Sequence, residues 1–406
     1  MAPESARFGY KWYILALAGL TATLVVAMPA MCMPVLFAEM SEDLDLSLVQ
    51  IGAIWGTGSL AGLFTGLVGG SLGDRFGTRR TLTVVCVLVG AAGALRGLAG
   101  DFNTLVATIF LGGLLGPIIP LSLHKICGVW FSKRRLGLAN GGVAAGMAFG
   151  FMTGSMISAT ILSPRLGGWR NVLFFYGAVS IVVSVPWALS RATPPGRESP
   201  LKGASGMSMR QALAHVTRLK SLWLLGLAML GVGGCVQGAL GYLPLYLREI
   251  GWPAARADGA LAAFHAASLI SVIPIALLSD RLAARKRILM IATLMIVCGV
   301  GLLSIAEGAL VWVAVLLAGV VRDGFMAVFM TLVIEQDGVG AAYAGTAVGL
   351  TSTLSRVGGL LSPPVGNSLA AVDPGLPFVF WAAMAAMALI SFYFVKEGGR
   401  ESGVEL

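Results

Sequence analysis

Charge is scarce in this sequence. Only 12% of its 406 residues are Asp, Glu, Lys or Arg, while 57% are hydrophobic; soluble domains carry roughly 25% charged residues. So few charges cannot cover a water-facing fold, which excludes an ordinary soluble enzyme. Histidine is nearly absent, with three in the chain. There is no HExxH, no GxSxG in a plausible setting and no phosphate-cradling Gly-rich loop with Lys-Ser/Thr, so the common hydrolase and nucleotide-binding classes drop out. The five cysteines, Cys32, Cys86, Cys127, Cys235 and Cys298, stand singly inside apolar runs. Neither a disulfide framework nor a metal site follows from them, and no cofactor is implied.

What the chain has instead is long, unbroken apolar segments and a mean hydropathy of +0.86. About 20 apolar residues cross a bilayer as a helix, so this length leaves room for about twelve spans. The runs lie near 12–38, 48–72, 82–99, 103–126, 137–160, 171–190, 219–245, 258–278, 288–305, 310–332, 344–369 and 377–395. Their continuity is helical and unlike the alternating segments of an outer-membrane barrel, and each helix satisfies its own backbone. The first run follows Arg7 and Lys11 as a signal peptide would, but it is too long for one and reads as the first span. The expected fold class is therefore all-α, a polytopic membrane protein of two pseudo-symmetric six-helix bundles, residues 1–190 and 219–406, joined by a cytoplasmic linker over 191–218.

Basic residues set the orientation. If the spans alternate, 20 of the 28 Lys and Arg fall on one face, and only Arg165, Arg170, Arg248 and Arg256 on the other. The positive-inside bias then places both termini in the cytoplasm, with the protein multi-pass in the inner membrane. The formal charge of +9 is thus topological. It is spread over short loops, not gathered in one patch with aromatics, so no nucleic acid is expected. The lipid bilayer is the one partner surface implied, and a monomer is expected.

The halves are related. Gly70-Ser-Leu-Gly-Asp74-Arg75-Phe-Gly77-Thr-Arg79-Arg80 stands between spans 2 and 3, and Asp280-Arg281-Leu-Ala-Ala-Arg285-Lys286-Arg287 between spans 8 and 9, with Asp74 and Asp280 separated by 206 residues. Gly137-x-Ala139-x-Gly141 opens span 5 and Gly345-x-Ala347-x-Gly349 opens span 11, an offset of 208. An old duplication explains both. Span 5 also carries Gly142, Gly146, Gly150 and Gly154 at spacing four, which lines one helix face with glycine and lets a neighbour approach closely.

The first loop resembles the Gly-x-x-x-Asp-Arg-x-Gly-x-Arg-Arg signature of the major facilitator superfamily, and the glycines resemble the family's helix 5 motif without its usual proline. The second loop departs from the pattern, with Ala276 and Ala283 in place of Gly70 and Gly77. The resemblance implies alternating access, with spans 1, 4, 7 and 10 lining a central cavity. It also implies a conformational latch of Gly70, Asp74, Arg75, Gly77 and Arg79, with Asp280 and Arg281 in the second copy; the competing reading is that these residues only end a helix and orient the chain. Trp130-Phe131-Ser-Lys133-Arg134-Arg135-Leu-Gly137-Leu-Ala139 resembles a segment of the carriers for organic anions such as oxalate/formate and monocarboxylates, and of the cyanate and nitrate carriers.

Four basic residues remain inside spans, Arg96, Lys125, Arg322 and Arg356, against one clearly mid-span acid, Asp323. Buried charge costs roughly 2.5–3.5 kcal/mol on insertion scales, and a surplus of buried positive charge favours an anionic substrate. The candidate substrate contacts are Arg322, Arg356, Lys125, Gln237 and Tyr242, the last two on a cavity helix by resemblance, with Tyr246 beside them. Asp323 and His265 are the candidates for proton coupling. Neighbouring helical positions point about 100° apart, so Arg322 and Asp323 are expected to diverge, with Asp323 pairing to Arg356. The alternative is a purely structural ion network. Arg96, near the end of span 3, reads as an interfacial residue snorkelling to headgroups, and Lys125 beside His124 could do the same. The function expected is secondary active transport of a small organic anion by proton symport or anion exchange. Proton-driven efflux of small hydrophobic compounds, supported by the 17 methionines, is the alternative.

Overall fold

The computed structural model describes residues 4–191, 209–282 and 284–395, with the side chains of 4–8, 66–76, 133, 134, 209, 276, 280, 282 and 341 outside that description. Twelve long helices account for nearly all of it: α1 (Gly9–Leu44), α2 (Leu48–Phe76), α3 (Thr78–Gly97), α4 (Phe102–Trp130), α5 (Arg135–Leu166), α6 (Trp169–Leu189), α7 (Lys220–Glu249), α8 (Ala254–Leu282), α9 (Arg285–Leu302), α10 (Ala309–Ile334), α11 (Gly340–Leu369) and α12 (Leu376–Phe394). A short helix, Met209–Val216, precedes α7, and no strand occurs among the described residues. Ten of the twelve contain a stretch long and apolar enough to cross a membrane. The exceptions have evident causes. Three basic residues open α9, and glycine, serine and threonine dilute α11.

Helix ends follow local chemistry. At the start of α2, Ser47 N donates to Gln50 Oε1 at 2.9 Å while Gln50 N donates to Ser47 Oγ at 3.3 Å, a reciprocal cap. Asp101 caps α4 by accepting from Thr104 N and Thr104 Oγ1, both at 2.8 Å. Those donors hold its carboxyl below the ordinary value of 3.8. The unbroken helix expected over 103–126 is interrupted at Gly116 and Pro117. Two widened π-type turns occur, Ala22–Ala27 ahead of Pro29 and Ser158–Leu162 ahead of Pro164. A proline ring collides with the carbonyl four residues back, and a widened turn displaces that carbonyl without ending the helix.

The chain forms two compact units. One gathers α1 to α6 with Leu240–Ala266; the other holds the remainder of α7 and α8 with α9 to α12. In the first, α1, α3, α4 and α6 pack around Trp187, which is fully buried and donates from Nε1 to Thr21 Oγ1 at 2.9 Å. The glycine face of α5 lies on α1: a Cβ on Gly146 would stand 2.6 Å from Gly19 O, and one on Gly154 would stand 2.7 Å from Met28 O. The α3 and α6 backbones meet at Gly90 and Gly177 in the same manner. In the second unit, α11 presses Gly358 against the Leu230 carbonyl of α7. Gly150 of α5 meets Thr23 of α1 in the matching place, and the offsets of 208 and 207 residues show the duplication in the packing itself. Trp381 of α12 fills the gaps at Gly238 and Gly366 and donates to Ser362 O at 3.1 Å. Large apolar side chains face outward, Leu189 at 80% and Ile270 at 76% exposure among them, as a surface bathed in lipid requires.

Candidate functional site

In the second unit, α8 and α10 are stapled at one level. Ser271 Oγ donates to the Val320 carbonyl, Asp323 N donates to Ser268 Oγ at 3.2 Å, and Gly324 leaves room for Ile275. At that level Arg322 Nη1 meets Asp323 Oδ1 at 2.7 Å, with the two side chains 25% and 30% exposed. The expected divergence of these neighbours is thus corrected. The 100° step separates their Cβ directions, but the long arginine arm curls back far enough to close it.

Arg356 lies midway along α11. Its neighbours Leu354, Ser355, Gly358 and Ser362 face α7, and Arg356 lies off that face. It is half-buried and makes no hydrogen bond or ion pair among the described residues, so the expected Arg356–Asp323 pair does not form. Gln237 is half-buried on the same α7.

In the first unit, Tyr242 of α7 is fully buried and packs its ring 6.0 Å from that of Tyr246. His265 is sealed between Phe151 and Phe264, with ring centroids at 5.3 and 5.4 Å. Lys125 is half-buried in α4, and His124 Nδ1 lies 3.1 Å from Asn140 Oδ1 of α5. Arg96 departs from its expected role. Its guanidinium turns inward and occupies the place of a side chain at Gly112 of α4, and its Nε is sealed from solvent without a partner. The glycine makes that inward path open, which a reading of α3 alone could not reveal. Along α1 and α5 runs a groove of 590 Å³ lined by Leu15, Gly19, Thr23, Met28, Phe149 and Thr153 among others, with no charged group in its wall.

Of the latch residues, Gly70, Asp74, Arg75 and Asp280 lie outside the described side chains. Gly77 turns the α2–α3 corner at φ +78°, a conformation that favours glycine. Arg79 Nη1 donates to Ser190 O at the end of α6, 3.2 Å away, and Arg281 is exposed. The second copy repeats the Arg79 contact with a lysine: Lys286 donates to Tyr393 O at 2.9 Å and Val395 O at 2.7 Å, at the end of α12. Arg285 adds an ion pair to Glu335 at 2.9 Å. Sequence reasoning missed Lys286 as a counterpart, although it stands 207 residues after Arg79.

It also missed the pair of Arg248 and Asp258, joined at 2.6 Å with the Asp258 side chain fully buried. The apolar runs 219–245 and 258–278 leave Arg248 in a loop and Asp258 at a span boundary. Ten residues across a Gly251-Trp252-Pro253 turn was the available signal.

The whole chain can be compared with known proteins. A family model described as Major Facilitator Superfamily matches residues 15–363. A probable nitrate/nitrite antiporter of Thermus thermophilus is 28% identical over 389 residues, covering 89% of this chain and 86% of that protein. The 3-(3-hydroxy-phenyl)propionate transporter of Escherichia coli K12 is 27% identical over 367 residues, covering 86% and 87%. Among solved structures, a bacterial homolog of the human lysosomal transporter Spinster, inward-facing and occupied, superposes with a TM-score of 0.79 at 14% identity, over 96% of this chain and 97% of that one. The last likeness concerns the fold alone. These are transporters and not enzymes.

Proposed function

This multi-pass membrane protein belongs to the Major Facilitator Superfamily, and from that premise we propose that it carries a small organic anion, a carboxylate in the first instance, across the membrane by alternating access. One observation carries the reading: Arg356, in the middle of a membrane helix, has no counter-charge among the described residues. A guanidinium held in that setting is costly unless an anion joins it, and its planar fork fits a carboxylate or nitrate with two parallel hydrogen bonds. The two relatives compared above are named for nitrate/nitrite and for a hydroxyphenylpropionate, both anions at neutral pH.

Arg322 is the second anion contact. In the present state Asp323 occupies it, so an arriving anion competes with that carboxylate, and a proton on Asp323 frees the guanidinium. Anion and proton uptake are then linked, which is symport; anion exchange needs only the competition. His265 is a further proton candidate, and Gln237, in the same unit as Arg356, is a further substrate contact; Lys125 and Tyr242 stay candidates on the sequence reading alone. By the family resemblance the halves 1–190 and 219–406, joined by the linker 191–218, alternate access through spans 2, 5, 8 and 11, both termini are cytoplasmic, and the loops around Asp74 and Asp280 with Arg75, Arg79 and Arg281 act as the latch.

Efflux of hydrophobic compounds has one observation in its favour, the uncharged groove along α1 and α5. Thermal unfolding of the purified protein separates the readings. A ligand at 100 times its dissociation constant adds about 2.7 kcal/mol of stability. Nitrate and short carboxylates are expected to raise the transition of the wild type and not of Arg356→Gln. Stabilisation by uncharged drugs alone, or by anions equally in both proteins, refutes the anion reading.

A further inference from the structure

The end of α7 and the start of α8 carry a charged clasp within the first unit. Arg248 donates from Nη2 to Asp258 Oδ1 at 2.6 Å and from Nη1 to the Val35 carbonyl of α1 at 2.9 Å. One arginine thus ties three helices. Its side chain is 17% exposed and that of Asp258 is 0% exposed. The other carboxylate oxygen, Oδ2, is buried and has no hydrogen-bond partner. A turn beyond Val35 on α1, Glu39 accepts from Ser163 Oγ of α5 at 2.5 Å, and its charge acts on Asp258 with the same sign.

This arrangement is poised. An ionised carboxylate sealed from water needs all its lone pairs answered, and Arg248 answers only those of one oxygen, while Glu39 adds repulsion. Adding a proton to Asp258 removes the unanswered charge but also removes the anion that holds Arg248. The guanidinium then keeps a single neutral carbonyl as its tie, too little to hold a cation out of water.

We propose that Asp258 is a proton-binding site whose protonation releases Arg248 and opens the α1–α7–α8 clasp at the α7–α8 turn. The step is a proton transfer from water to a carboxylate oxygen and needs no other reactant. It stands apart from the anion reading, because it concerns access at one end of the protein and not the substrate. The titratable and charged groups facing Asp258 are Arg248 from α7 and Glu39 from α1; on α8 itself, His265 lies two turns further along and Arg256 is exposed.

The test reads access one turn deeper on α8. Ala262 is buried at 5% exposure, and Ala262→Cys in a background with the five native cysteines changed to serine supplies a single thiol. Its labelling by a membrane-impermeant maleimide in liposomes, normalised at each pH to the detergent-unfolded protein, is followed from about pH 8 to about pH 5, where buried carboxylates titrate. The normalised rate is expected to rise several-fold as pH falls. Asp258→Asn is expected to be fast at every pH, and Glu39→Gln to keep the pH response. Because a buried Arg248 without its carboxylate is costly to the fold, the neutral double variant Arg248→Gln with Asp258→Asn repeats the measurement, again with a fast, pH-independent rate expected. Labelling that does not change with pH in the first protein overturns the proposal. So does a pH response that persists without Asp258, which assigns the titration to His265 or Glu39.

Discussion

Replacing Gly150 with alanine tests the packing on which any movement of α5 against α1 depends. A Cβ there would lie 2.6 Å from Ala27 Cβ, 2.8 Å from Thr23 O and 2.9 Å from Thr23 Cα, against an ordinary contact of 3.4–4 Å. Two of the three obstacles are backbone, so α1 itself must shift by the better part of an ångström. Overpacking of this kind costs about 1–3 kcal/mol. Alanine in a helix returns roughly 0.5–1 kcal/mol relative to glycine, leaving a net loss of about 1–2 kcal/mol. Gly141 is the control, because a Cβ there meets nothing within 4 Å and only the helix-propensity gain applies. In thermal unfolding of the detergent-solubilised protein, Gly150→Ala is expected to melt about 1–2 °C lower, and Gly141→Ala at or above the wild type. Equal behaviour of the two variants would refute the close-approach account of the glycine face.

Two further outcomes follow from the ends of the helices. Arg79→Ala and Lys286→Ala each strip a charged donor from the final carbonyls of α6 and α12, so each should cost about 0.5–1.5 kcal/mol and speed amide exchange locally, near 187–191 and 390–395 respectively; a loss in one alone would deny their equivalence by duplication. Asp101 gives a pH dependence of known sign. Its carboxyl is held below 3.8 by the donors of Thr104, so its stabilisation is fully present above that value and is lost as pH falls through the depressed one. Asp101→Asn should therefore remove an acid-range loss of stability and leave the melting curve near neutrality with little pH dependence from this site; an unchanged acid limb would contradict it.

Much of the architecture was legible because it is written in quantities that survive on a single strand of sequence: apolar length, the 206- and 208-residue offsets and the glycine spacing of α5. The glycine pattern announced a close neighbour, and the structure supplies its identity, α1. The parts that were not legible depend on the third dimension. Arg96 turns inward because Gly112 on another helix leaves space for it. Arg322 reaches its own neighbour because side-chain length defeats the angular argument. Arg248 and Asp258 sit at the ends of adjacent helices, where one-dimensional span boundaries assign residues to loops, yet the helices extend far enough to bury the pair. The interruption of α4 at Pro117 was visible as a residue and overlooked beside the hydropathy of its surroundings.

Uptake of 3-phenylpropionate into proteoliposomes, set beside its uncharged amide of nearly the same shape, bears most directly on anion transport. Saturable uptake of the carboxylate, competed by nitrate, absent for the amide and abolished in a folded Arg356→Gln variant, is the result expected of an anion carrier that uses Arg356. Equal uptake of the amide, or an Arg356→Gln variant that transports the carboxylate like the wild type, would contradict it.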